Sequence, residues 1–109
     1  MLSQNGEWFD GKGDLRMKIH LKIEGLPQLY KVFNKKKAID FEFPGQTIRD
    51  FAVGLARKYG RGVDHVLLDQ TGAIDMGLKV AVNFSPLSYD TRMDTPLHDG
   101  DTIHLMTVG

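Results

Sequence analysis

The sequence contains no cysteine, which excludes a disulfide framework, a thiolate metal site, a cysteine nucleophile and a cysteine-borne persulfide. It has no surplus of either charge. Fourteen basic and fourteen acidic residues cancel, so no global field draws the chain toward nucleic acid or an anionic membrane, and a partner must be recognised by local features. No apolar run approaches the ~20 residues that span a bilayer, and the opening stretch MLSQNGEWFDGKGDLR lacks the apolar core of a signal peptide. Also missing are a phosphate-binding loop, a dinucleotide fingerprint, a Ser-His-Asp set and a surface that interleaves aromatic and basic residues. These absences lead us to expect a soluble, cytoplasmic protein with no enzyme active site, no cofactor, no metal, no nucleic acid and no membrane partner.

What is present fits one domain, since 109 residues can bury roughly 60 to 70% of their unfolded surface without staples. Residues 1–16 hold three glycines among polar residues and read as a disordered extension, with residues 17–109 forming the domain. Trp8 and Phe9 are the large apolar pair of that extension, and they are what would dock if any of it does. Met17, Ile19, Leu21 and Ile23 then alternate with Lys18, His20, Lys22 and Glu24, a period of two that predicts a strand with one buried face. A second β-prone stretch is expected across Tyr30 to Phe43, interrupted by a basic loop at Asn34 to Lys37. Lys35, Lys36 and Lys37 are read as a solvated turn.

The segment FPGQTIRDFAVGLARKYG carries a helix signature, with Thr47 as N-cap, Asp50 closing a capping box and Gly60 as the stop. Ile48, Phe51, Ala52, Leu55, Ala56 and Tyr59 form one apolar stripe at helical spacing, and should face a sheet. Val63 to Leu68 is expected to be a short strand or an extended connection, and DQTGAIDMG a turn that fails the ligand spacing of a calcium loop. Leu78 to Phe84 is the next predicted strand, Ser85 to Asp94 a polar stretch, and Thr102 to about Val108 the final strand. One helix packed on one sheet makes this an α+β domain.

The first strand MKIHLKI, the helix GQTIRDFAVGLARKYG, the late strand VAVNF and the closing PLHDGDTIHLMTVG together resemble the MoaD/ThiS family of small sulfur-carrier proteins. The resemblance spans Met17 to Gly109. It implies a ubiquitin-like β-grasp fold, a mixed sheet of four to five strands with one main helix on one face. It also implies a function as a carrier whose C-terminal carboxylate, here that of Gly109, is activated by an ATP-dependent adenylyltransferase of the ubiquitin-activating type. The product would be a thiocarboxylate, passed to a molybdopterin-synthase large subunit or a thiazole synthase for molybdopterin, tungsten-pterin or thiamine. A carboxylate is a poor electrophile, and joining it to AMP makes a mixed anhydride that sulfur can attack. Glycine at the end offers no side chain to obstruct a narrow active site. Thr107 and Val108 would be the threading tail, with Val108 standing where the family has glycine, and Met106 and His104 would meet the partner. Two other readings use the same fold: a non-covalent ubiquitin-like interaction module with an inert tail, and a protein modifier joined to lysine.

Other candidates carry less. His20 and His104 are expected on the outer faces of neighbouring strands, too few for a metal site on their own, and His65 and His98 show no metal-ligand spacing. Asp90, Asp94, Asp99 and Asp101 are expected in turn and loop roles.

Overall fold

The structure is a computed structural model that describes residues 16–108. Its elements follow the order β1 (Arg16–Glu24), α1 (Pro27–Val32), β2 (Ala38–Pro44), α2 (Ile48–Tyr59), α3 (Arg61–Leu67), β3 (Leu78–Val82), β4 (Ser85–Pro86) and β5 (Thr102–Thr107), with a 3₁₀ turn at Arg92–Asp94 between the last two. The five strands form one sheet in the order β2-β1-β5-β3-β4. β1 and β5 run parallel at its centre and the other pairs are antiparallel, the mixed sheet of a β-grasp.

The period-two pattern of β1 behaves as expected: Ile19, Leu21 and Ile23 are buried while Lys18, His20, Lys22 and Glu24 are exposed. On the same inner face lie Phe41 and Phe43 of β2, Val80 of β3, and Ile103 and Leu105 of β5. α2 covers them with Ile48, Phe51, Ala52 and Leu55. The Phe51 ring meets Phe41 and Phe43 edge-on at 6.0 and 5.9 Å, contacts worth about 1 kcal/mol each beyond the area they bury. The predicted capping box is present. Thr47 accepts the Asp50 N–H, and the Asp50 carboxylate accepts the N–H groups of Gln46 and Thr47. Those bonds, the one from Gln46 first, hold the Asp50 carboxyl below its ordinary range, against a smaller opposing effect of burial.

Two stretches expected to be extended are helical. Tyr30, Lys31 and Val32 belong to α1, which begins with Pro27 at its first turn and buries Leu29. Leu26, Leu29 and Phe33 are all buried, at spacings of three and four that only a helix can turn to one side. Val63 and Leu67 are likewise buried four residues apart in α3, where a short strand or an extended connection was expected. In both places β-prone side chains yield to the need to put one face on the core. β3 stops at Val82, short of the expected Phe84, because Asn83 and Phe84 take positive φ of 50° and 72° and turn the chain into β4. The polar stretch after it holds β4 and the 3₁₀ turn, with Arg92 and Met93 buried. Among the described residues no helix is long and apolar enough to cross a membrane.

Candidate functional site at the end of strand β5

β5 sits in the sheet centre and delivers the end of the described chain. Its inner residues Ile103 and Leu105 are fully buried, and Thr102, His104 and Met106 alternate onto the outer face, partly covered. Across the outer face His104 is opposite Lys22 and Ala81, and Met106 is opposite Glu24 and Lys79. Thr107 ends the strand against Gly25, which has φ +70°. A Cβ at Gly25 would lie 2.6 Å from Thr107 Oγ1, so a residue without a side chain is what allows the strand end to pass.

Val108 is exposed, and its N–H donates to the Gly77 carbonyl at 3.0 Å. That carbonyl belongs to a loop held by Arg92, a residue the sequence gave no reason to single out. Arg92 is 3% exposed. It donates to the carbonyls of Leu78 at 2.8 Å, Ile74 at 2.7 Å and Asp75 at 2.9 Å, and its guanidinium lies 4.6 Å from the centre of the Tyr89 ring. Burial lowers its pKa, while Tyr89, Asp69 and Asp75 push it back up, and a guanidinium stays charged under any such shift. Tyr89 in turn donates through its hydroxyl to the Met76 carbonyl at 3.0 Å. The tail therefore leaves the sheet from a fixed loop. Gly109, the residue expected to be activated, lies outside the described residues, as do Trp8 and Phe9.

The expected partner-binding residues share the outer face with one that was overlooked. Phe84 is 76% exposed, and its ring centre is 5.1 Å from that of His104. A bulky residue at positive φ is strained, and here it is held by its neighbour: Asn83 donates to Asp101 Oδ1 and accepts the Thr102 N–H, both at 2.9 Å. The two-residue loop between paired Val82 and Ser85 is a hairpin turn that favours Asn then Gly, so Phe in the second place was the available signal.

The remaining candidates fall elsewhere. His20 lies opposite Thr102, two positions along from His104, and its Nδ1 is 2.6 Å from Asp40 Oδ1. The histidines are thus not brought face to face, and among the described residues no group of three or more His, Asp or Glu could hold a metal ion. Asp99 accepts the Lys18 N–H and Asp101 accepts the His98 N–H, both from loop positions, while Asp94 of the 3₁₀ turn pairs with Arg49 of α2. Lys35, Lys36 and Lys37 are exposed in the α1–β2 connection.

No protein-family model and no curated protein matches the sequence. Solved structures do. The solution structure of the Haloferax volcanii HVO 2177 protein is similar with a TM-score of 0.71 at 23% identity, over 95% of this chain and 98% of that one. Urm1 from Trypanosoma brucei is similar with a TM-score of 0.67 at 24% identity, over 86% of this chain and 94% of the other. A chain of the BexX/CysO complex from Amycolatopsis orientalis matches with a TM-score of 0.68 at 16% identity, over 84% and 96%. The shared fold is the ubiquitin-like β-grasp, the fold that the sequence resemblance implies.

Proposed function

We propose that this protein is a sulfur carrier whose working group is the carboxylate of Gly109. A partner adenylyltransferase would join that carboxylate to the α-phosphate of ATP with loss of pyrophosphate. Sulfide, or sulfur delivered by a donor enzyme at the same oxidation level, would then attack the acyl carbon and expel AMP, leaving a thiocarboxylate. Consumption of that sulfur by a molybdopterin-synthase large subunit or a thiazole synthase completes the role. All the catalytic groups belong to the partners.

The observation that carries this reading is the exit of β5. A central strand, locked on both sides, projects its last residues past Gly25 and leaves Val108 exposed, which is how a chain end is presented to another protein's active site. Thr107 and Val108 are the part that would thread. His104, Met106 and Phe84 would meet the partner as one outer-face strip, with an aromatic and a methionine supplying adaptable apolar contact.

Val108 also favours a second reading, a non-covalent ubiquitin-like module. Its branched side chain stiffens the tail where a glycine would thread, and its N–H is engaged by Gly77. Intact-protein mass spectrometry separates the two after incubation with a candidate adenylyltransferase, ATP and sulfide. A mass gain equal to exchange of one oxygen for sulfur, absent when Gly109 is deleted, supports the carrier. No gain with an enzyme active on its own carrier, in both the parent and a Val108→Gly variant, overturns it in favour of the module.

A further inference from the structure

The outer edge of the sheet, away from the tail, carries a groove that the carrier function does not use. It lies between β2 and α2 and measures about 540 Å³, within the size range of ligand sites. Its floor is apolar: Phe41 and Phe43 stack at 5.8 Å, Val53 is 41% exposed on the helix, and Gly54 lets the helix sit close. A Cβ on Gly54 would stand 3.1 Å from that of Phe43. The rim is cationic, with Arg16, Arg49, Arg57 and Lys58 against Glu42 and Asp50. Asp50 is committed to the capping box, and Arg57 and Lys58 form no ion pair with a carboxylate of the described residues.

One wall of the groove is an unpaired strand. Among the described residues β2 has β1 as its only neighbour. The Ile23 N–H donates to the Lys37 carbonyl, and the register continues through Leu21 with Ile39, Ile19 with Phe41 and Met17 with Phe43. In an antiparallel ladder alternate residues point their backbone groups to opposite sides, so the N–H and C=O groups of Ala38, Asp40 and Glu42 point away from β1. A free edge beside an apolar floor and a basic rim fits an extended segment that brings large apolar side chains and flanking acids. Such an edge left open is also a liability for pairing between chains.

The chain itself contains that segment. Residues 7–10 read Glu-Trp-Phe-Asp, an aromatic pair with a carboxylate on each side. They precede Arg16, which opens β1 and already lines the groove. Crossing from β1 to the far side of β2 takes two strand spacings, about 10 Å. Residues 11–15 reach ~17 Å when extended, and Gly11 and Gly13 permit the turn. A tether this short gives an effective concentration on the order of millimolar, so weak contacts suffice to fill the site. We propose that residues 7–10 occupy the β2–α2 groove of their own chain as an extended segment covering the open strand edge, with Trp8 over Val53 and Gly54 and Asp10, on the same face two residues on, toward Arg57 and Lys58.

Trp8 is the only tryptophan, so its fluorescence reports the site directly in the full chain. Emission at shorter wavelength than N-acetyltryptophanamide is expected, with acrylamide quenching reduced severalfold. Both should revert in Val53→Glu and in Arg57→Glu, whose side chains are exposed and whose folding is checked by circular dichroism. Asp10→Arg placed on Arg57→Glu should restore the shielding. Trp8 as open to quencher as the free indole overturns the proposal. Shielding that neither groove variant changes overturns it too, because the segment then docks elsewhere. Shielding lost on dilution together with dimer dissociation places the segment on a second copy and overturns occupancy by the same chain.

Discussion

Arg92→Met keeps the bulk of the side chain and removes the fork that fixes the loop before β3. The Ile74 and Leu78 carbonyls it serves belong to residues only 2% and 5% exposed, whereas Asp75 is open to water. Each buried acceptor left unpaired costs about 1 to 3 kcal/mol, and the exposed one costs little because water replaces the donor. Against this stands the cost of keeping a guanidinium out of water, which the methionine no longer bears. A net loss of about 3 kcal/mol is expected, which in a domain of this length lowers Tm by roughly 12 to 24 °C. Urea unfolding with the slope held constant measures the loss, and Arg92→Lys should fall between, since one ammonium cannot reach all three carbonyls. The same variant bears on the tail: with the loop loosened, the Val108 amide should exchange its hydrogen faster, because its acceptor is Gly77. An Arg92→Met protein within about 0.5 kcal/mol of the parent, with unchanged exchange at Val108, would refute the account of Arg92 as the anchor of the tail's exit.

Asp50 holds its proton more weakly in the folded protein than its ordinary value of 3.8. Its stabilisation is therefore complete above that value and lost as pH falls through the lower folded one, and Asp50→Asn should flatten the acid limb of stability against pH. An acid limb unchanged by the substitution would show that the capping carboxylate is not its source. Phe84→Gly should raise stability by about 1 kcal/mol, since glycine takes the φ of +72° without strain, while weakening the complex with a cognate adenylyltransferase in a titration by calorimetry. Loss of stability would refute the strain at Phe84, and unchanged affinity would remove it from the proposed docking strip.

The strands around the site were legible because each buries one face against a single helix, and period two then writes itself into the residues. Ile103 and Leu105 inward with His104 and Met106 outward follow from that period alone. The main helix was legible for the same reason and because its cap is local chemistry, Thr47 with Asp50 three residues on. α1 and α3 are six and seven residues long, too short for periodicity to outweigh their β-prone composition. The approach of Gly25 to Thr107 and the three carbonyls that converge on Arg92 join segments distant in sequence, so no local pattern announces them. The groove was illegible for a different reason: that β2 is an edge strand depends on the order of all five strands.

Several costly features of the molecule gather at the exit of the tail. Gly25 at positive φ, the strained Phe84 and the buried Arg92 all border β3 or β5, the two strands that define the tail and the outer-face strip. Each departs from what stability alone would choose. A turn of Asn-Gly would relax the hairpin, and an apolar residue in place of Arg92 would avoid burying a charge if the loop needed no fixed shape. Exposed strain persists only where surrounding contacts over-determine it, and Asn83, bonded to Asp101 and Thr102, supplies that here. The β2 side carries strain of its own, with Asn34 and Lys35 at φ of 57° and 62° before the strand and Gly45 at φ +150° after it, where a Cβ would run into Asp50. On the β3–β5 side the strain and the buried charge go into holding the strand end and its outer face in place, which suits the tail proposed above to be offered to another protein.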